Sequence, residues 1–110
     1  MAWHMVQRLV RRTRAKTMIH TCHAIRCKNR CPPAWLMCKR CWQQVSYSTQ
    51  QEVYFTVNKR GPDCDATWAP WWRAQAKAIA EVAEKAHPDW DSTAYLKREM
   101  AFADTLEKKE

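Results

Sequence analysis

The chain has 110 residues, with six cysteines, seven tryptophans, a single glycine and a net charge of +8. That length supports one domain, and at this size folding buries roughly two-thirds of the unfolded surface, so a modest apolar core gains from a staple. No apolar run approaches the roughly 18 to 20 residues that span a bilayer, and residues 1–10, with His4, Gln7 and Arg8, do not resemble a secretory signal. The expectation is an unexported, cytoplasmic chain with no membrane partner, in which reduced cysteines bind metal rather than pair.

Charge is unevenly placed. Residues 1–60 carry twelve Lys or Arg against the single Glu52, a balance of +11, while residues 61–110 carry seven against ten acids, a balance of −3. An anionic partner would therefore meet the first half. Arg8, Arg11, Arg12, Arg14 and Lys16 all precede Met18, which is an alternative to Met1 as the translation start. A chain beginning there would carry only +3.

Residues 1–17 read as a basic arm or amphipathic helix, with Trp3, Val6, Leu9 and Val10 near one side and arginines around the rest. Residues 18–61 read as a metal-binding module. Its stretch from Ile19 to Trp42 holds five cysteines, two histidines, the Pro32-Pro33 pair and no glycine. Thr49 followed by Glu52 reads as a capping box, with Val53, Tyr54 and Val57 at helical spacing and Gly61 beyond, which predicts a helix over 50–60. The β-branched and aromatic run "EVYFTV" argues for a strand instead.

Residues 62–110 read as a helical hairpin packed on that module in one domain. A connector over 62–70 leads to an alanine-rich helix over 71–87, with Trp72, Ala76, Ile79, Ala83 and Ala86 on one face. "PDWD" then joins it to a helix over 92–106, capped by Asp91 or Ser92, with Leu96, Met100, Ala103 and Leu106 inward.

The cysteine spacing is Cys22-x4-Cys27, ten intervening residues, then Cys38-x2-Cys41. Zinc takes four such donors in a tetrahedron, and two short pairs separated by a loop supply them without a long return of the chain. One structural Zn2+ on Cys22, Cys27, Cys38 and Cys41 is the expectation, with His20, His23, Cys31 and Cys64 close enough in sequence to substitute. Four thiolates leave the site at a formal −2, and Arg26, Lys28, Arg30, Lys39 and Arg40 sit between or beside the ligands. These cations either neutralise the site or meet phosphates. A redox role for Cys38 and Cys41 would call for an alternating strand–helix pattern that the sequence lacks. A filled four-cysteine shell has no open position for water, and no paired acids accompany His20 or His23, so no enzyme activity is expected. Trp35 and Trp42 flank the second cysteine pair and are expected to pack on the metal loop. Trp71 and Trp72 start a helix on adjacent faces, which predicts one exposed indole, available to a protein partner or to unpaired bases.

The segment from Cys22 to Gly61, with its cysteine pair, "CPPAWLMCKRCW" and a short helix ending near a glycine, is similar to small zinc-binding proteins of tailed bacteriophages and bacterial prophages. The resemblance covers about 40 residues. It implies Cys22, Cys27 and Cys38 as ligands, Pro32 and Pro33 as a turn, Trp42 as a packing residue and a bacterial host cell as the setting; it implies no mechanism. Cys41 stands where that family usually has a histidine ligand, which adds one negative charge.

Taken together, these readings predict a small, mainly α protein. A zinc-stapled N-terminal half, with zinc-ribbon or treble-clef-like loops, precedes a C-terminal helical hairpin. The functional expectation is DNA or RNA binding in a regulatory or DNA-transaction role, with contacts from Arg8, Arg11, Arg12, Arg14, Lys16, Arg26, Lys28, Arg30, Lys39 and Arg40. The alternative is a protein-binding adaptor or inhibitor that docks on a host enzyme through exposed tryptophans and the helical hairpin.

Overall fold

A computed structural model describes residues 20–32 and 34–109. The chain divides into two compact units, residues 1–44 and 45–110. The basic segment before Met18, with Arg8, Arg11, Arg12, Arg14 and Lys16, lies outside the described residues, as does Pro33.

The first unit is built on a minimal antiparallel hairpin. β1 (His20–Thr21) pairs with β2 (Arg30–Cys31), His20 opposite Cys31 and Thr21 opposite Arg30. The Cys22 amide donates to the Asn29 carbonyl at 2.8 Å, so the pairing continues one step past the strands. Cys27 N–H to the Ala24 carbonyl (3.2 Å) turns the loop, and Arg26 there takes a left-handed φ of 63°, an uncommon conformation for a side chain of its size. Trp35 N–H donates to the Pro32 carbonyl at 2.9 Å and closes a second turn. A single helical turn, α1 (Lys39–Trp42), follows Cys38.

The second unit is three helices. In α2 (Tyr47–Val57) the cap is Ser46, whose hydroxyl accepts from the Thr49 amide, rather than Thr49 itself. Helical spacing of Thr49, Val53 and Thr56 puts all three on one buried face, and that face overrides the strand preference of "EVYFTV". The helix stops at Val57 with Asn58 as its C-cap, short of the expected Arg60. Gly61 does not end it through a left-handed turn, since no glycine has positive φ. Its place is a close approach: its amide donates to Thr67 Oγ1 at 2.7 Å, its carbonyl accepts from Trp68 Nε1 at 2.9 Å, and a Cβ would lie 3.2 Å from Thr67 Oγ1.

A 3-10 turn (Ala66–Trp68), capped by Asp65, runs into α3 (Ala69–Ala86), with Pro70 in its first turn. α3 packs on both α2 and α4 (Ser92–Glu107). Ala74, Ala76, Ala78, Ile79, Ala80, Val82 and Ala83 are buried, a wider arc than a single-faced amphipathic helix offers, because two neighbours cover it. Of the expected inner faces, Ala76, Ile79, Ala83, Ala103 and Leu106 are buried, Trp72, Leu96 and Met100 are partly so, and Ala86 is exposed. Asp91 caps α4 by accepting from the Ala94 amide. α3 and α4 run antiparallel: Arg73 near the start of α3 forks onto Asp104 and Glu107 near the end of α4, and Ser92 at the start of α4 donates to Glu84. Ala69, Ala103 and Leu106 form the core of that contact, with Trp68 and Trp72 against it.

Each indole of the Trp71–Trp72 pair is partly buried; among the described residues the exposed large rings are Tyr47, Phe55 and Phe102 instead. Arg60 explains part of this, since its guanidinium stacks over both Trp68 (4.6 Å) and Trp71 (4.0 Å).

Two carboxylates tie α2 to α3: Glu52 meets Lys77 Nζ at 3.2 Å near the surface, and Glu81 is partly buried. Glu81 accepts from the Ser46 amide at 2.9 Å and from the Thr49 hydroxyl. Burial alone would raise its pKa, but these hydrogen bonds outweigh it and hold the group below 4.5. Because the folded value is depressed, the stabilisation is fully present above the unfolded pKa and is lost as pH falls through the folded one. Glu81→Gln should therefore cost about 1–2 kcal/mol at pH 7 in denaturant unfolding followed by helix circular dichroism, and the gap between variant and parent should narrow below pH 4.5. Arg73→Ala should cost less than about 1 kcal/mol, since its partners are well exposed (57–62%).

Candidate metal centre

The two turns of the first unit bring four sulfurs together. Cys22 leaves β1, Cys27 follows the turn at Ala24, and Cys38 and Cys41 bracket the start of α1, where a three-residue step along a helical turn places both thiols on one side. The Sγ atoms of Cys22, Cys27, Cys38 and Cys41 all lie within 4.8 Å of one another. Cys22, Cys38 and Cys41 are buried and Cys27 is partly exposed. Sulfurs at about 2.3 Å from a tetrahedral ion are spaced about 3.8 Å apart, and Cys27 and Cys38 already stand at 3.9 Å. All six cysteines are free thiols. Four sulfur donors at this spacing fit a thiophilic ion.

The substitutes suggested by sequence proximity are placed elsewhere. His20 Nε2 lies 2.8 Å from the Trp35 carbonyl and 3.0 Å from that of Pro32. Two acceptors at one ring nitrogen require that nitrogen to carry the proton, so the atom is a donor that clamps β1 to the 32–35 turn and not a metal ligand. Cys31 is buried with its sulfur 3.7 Å from the same nitrogen, outside the four-sulfur group. His23 stacks on His20 with ring centroids 4.9 Å apart. Cys64 is exposed in the second unit.

Donors converge on the sulfurs from outside the group as well. Cys22 Sγ accepts from the amides of Cys38 (3.2 Å) and Ala24 (3.5 Å), and Cys38 Sγ accepts from the Asn29 side-chain amide at 3.5 Å. Nothing in the linear sequence marks Asn29 or the His20 clamp, because each acts on a residue brought near only by the fold. Burial raises the Cys22 and Cys41 thiols, and the neighbouring sulfurs push Cys41 further. At Cys38 burial also opposes ionisation, but hydrogen bonds from Asn29, Cys41 and Cys22 outweigh it and bring the thiol from 9.0 down to about 6. Four clustered sulfurs cannot all ionise against one another without a cation among them.

Of the cations expected to contact nucleic acid, Arg26, Lys28, Arg30, Lys39 and Arg40 are described, and all five are exposed. Among the described residues no helix is long and apolar enough to cross a membrane.

Loading the site with a divalent ion at pH 7 should release at least two protons per ion, from Cys22 and Cys41, and affinity should weaken as pH falls because protons and metal compete for the same sulfurs. Proton release in weakly buffered solution measures this; one proton or none would mean that these two sulfurs do not bind the ion. Comparison of the chain with known protein families, with curated proteins and with solved structures gave no match in any of the three.

Proposed function

We propose that the chain is a non-enzymatic zinc-binding protein of phage or prophage origin that binds nucleic acid through its cysteine-bearing unit, in a regulatory or DNA-transaction role. The observation that carries this reading is charge placed on a compact unit: residues 1–44 hold ten Lys or Arg and no Asp or Glu. A zinc ion with four thiolates has a formal charge of −2, which leaves most of that excess uncompensated and available to a polyanion. Zinc suits the donor set, since four thiolates in a closed tetrahedral shell are its usual structural site. With four protein ligands no position remains for a reacting water, so the ion's role is to hold the fold. The phage setting rests on the resemblance carried by Cys22, Cys27, Cys38, the Pro32-Pro33 pair and Trp42.

Contacts of this kind are chiefly to phosphates. The long helices α3 and α4 belong to the second unit, where acids outnumber Lys and Arg, so neither is suited to enter a groove and read bases. A second reading, an adaptor or inhibitor that docks on a host protein, is favoured by Tyr47 and Phe55 on α2, 74% and 62% exposed, and by Phe102 on α4 at 42%.

Two experiments test these readings. Structural zinc contributes on the order of 10 kcal/mol of apparent binding energy in small domains. Cys38→Ser should thus abolish metal binding and mimic chelation, while Cys64→Ser should retain one ion per chain by elemental analysis; equal losses from both would overturn the four-cysteine assignment. Binding to a DNA or RNA oligonucleotide should weaken steeply with salt, and Lys39→Ala and Arg40→Ala should each lower the log–log salt slope by about 1. Salt-insensitive capture of a host protein, lost in Phe55→Ala, would instead support the docking reading.

A further inference from the structure

Asn29 is joined to both halves of the four-cysteine cluster at once. Its main-chain carbonyl accepts from the Cys22 amide at 2.8 Å, which fixes the first ligand relative to the β1–β2 hairpin. Its side-chain amide reaches across to the second pair and donates to Cys38 Sγ at 3.5 Å. The amides of Ala24 and Cys38, which donate to Cys22 Sγ, and that of Cys41, which donates to Cys38 Sγ, are main-chain groups. Asn29 therefore carries a side chain from outside the group whose removal would change the environment of a ligand sulfur without removing a ligand.

The physical consequence follows from charge. Four thiolates on one divalent ion leave surplus negative charge on the sulfurs, and each N–H aimed at a sulfur disperses part of it and fixes the direction of the lone pair that faces the metal. A main-chain donor survives substitution; a carboxamide does not. Lys28 and Arg30 flank Asn29 in the chain, and both are exposed.

We propose that Asn29 is an outer-shell positioning residue of the metal centre, whose carboxamide holds the Cys38 thiolate in its ligating direction and sets how tightly the ion is held. This rests on the reading of the four cysteines as a metal site. The test uses the full-length chain loaded with Zn2+ or with Co2+ as a spectroscopic substitute. Asn29→Ala should bind one ion per chain with affinity lowered about 10- to 100-fold in competition with a chromophoric chelator. Asn29→Asp, which sets a carboxylate beside the thiolate, should bind more weakly still. In the Co2+ form of Asn29→Ala the thiolate-to-metal charge-transfer bands should keep the intensity of a four-sulfur site but move to lower energy, because the sulfur has lost a hydrogen bond; a purely structural role for the side chain would not shift them. Affinity within threefold of the parent and unmoved bands would overturn the role of Asn29 while leaving the metal site intact. A parent protein that binds no metal would overturn the site itself, and this role with it.

Discussion

The first unit is arranged around four sulfurs that would repel one another once ionised. Cys22, Cys27, Cys38 and Cys41 converge to within 4.8 Å of each other in a segment whose strands are only two residues long and whose one helix is a single turn. Elements that short contribute little stability by themselves. What they do is aim: the hairpin presents Cys22 and Cys27, and the turn of α1 presents Cys38 and Cys41. The N–H groups of Ala24, Cys38 and Asn29 point at the sulfurs, so the cluster is electrostatically prepared for ionised ligands. A cation at its centre would turn that repulsion into shared attraction, and the lysines and arginines of residues 1–44 have no acid within that unit to answer them.

The second unit is held by ordinary means. Its alanine-rich central helix lets two others approach closely, and beside the surface Lys77–Glu52 pair two polar ties join the helices: Ser46 and Thr49 on Glu81 at one contact, Arg73 on Asp104 and Glu107 at the other. The two ties differ in weight because Glu81 is partly buried and accepts from a main-chain amide and a hydroxyl, whereas Arg73 meets carboxylates that water also reaches. Arg60, stacked on Trp68 and Trp71 while Trp68 bonds the Gly61 carbonyl, links the end of α2 to the start of α3. That packing helps cover Trp71, one of the two indoles of which one was expected at the surface.

Much of this was legible in the sequence, for reasons of period and spacing. Cys-x2-Cys restricts both thiols to one turn of backbone. The alanine-rich and Leu96–Leu106 patterns repeat near 3.6 residues, and Asp91 before Ser92 marks a helix start, so the two long helices and the four candidate ligands emerge from linear order alone. The helix after the cysteines was harder to place. Its cap at Ser46 was hidden by a better-looking Thr49–Glu52 pair, and Thr49 turned out to give its hydroxyl to Glu81, thirty-two residues away. Gly61 resembles a helix stop but serves a close approach to Thr67 and Trp68, a contact that no local pattern announces.

The sequence by itself determined the helical character of the second half, the ligand spacing and the separation of basic from acidic halves, because propensity, short-range spacing and charge are properties of neighbours along the chain. Tertiary structure decided which thiols among several candidates meet, why His20 donates to carbonyls rather than facing a metal, where Asn29 reaches, and that α3 packs against both α2 and α4 within the second unit. Each of those includes contacts between residues well apart in the chain, such as Asn29 with Cys38 and His20 with Trp35, brought together only when the turns close.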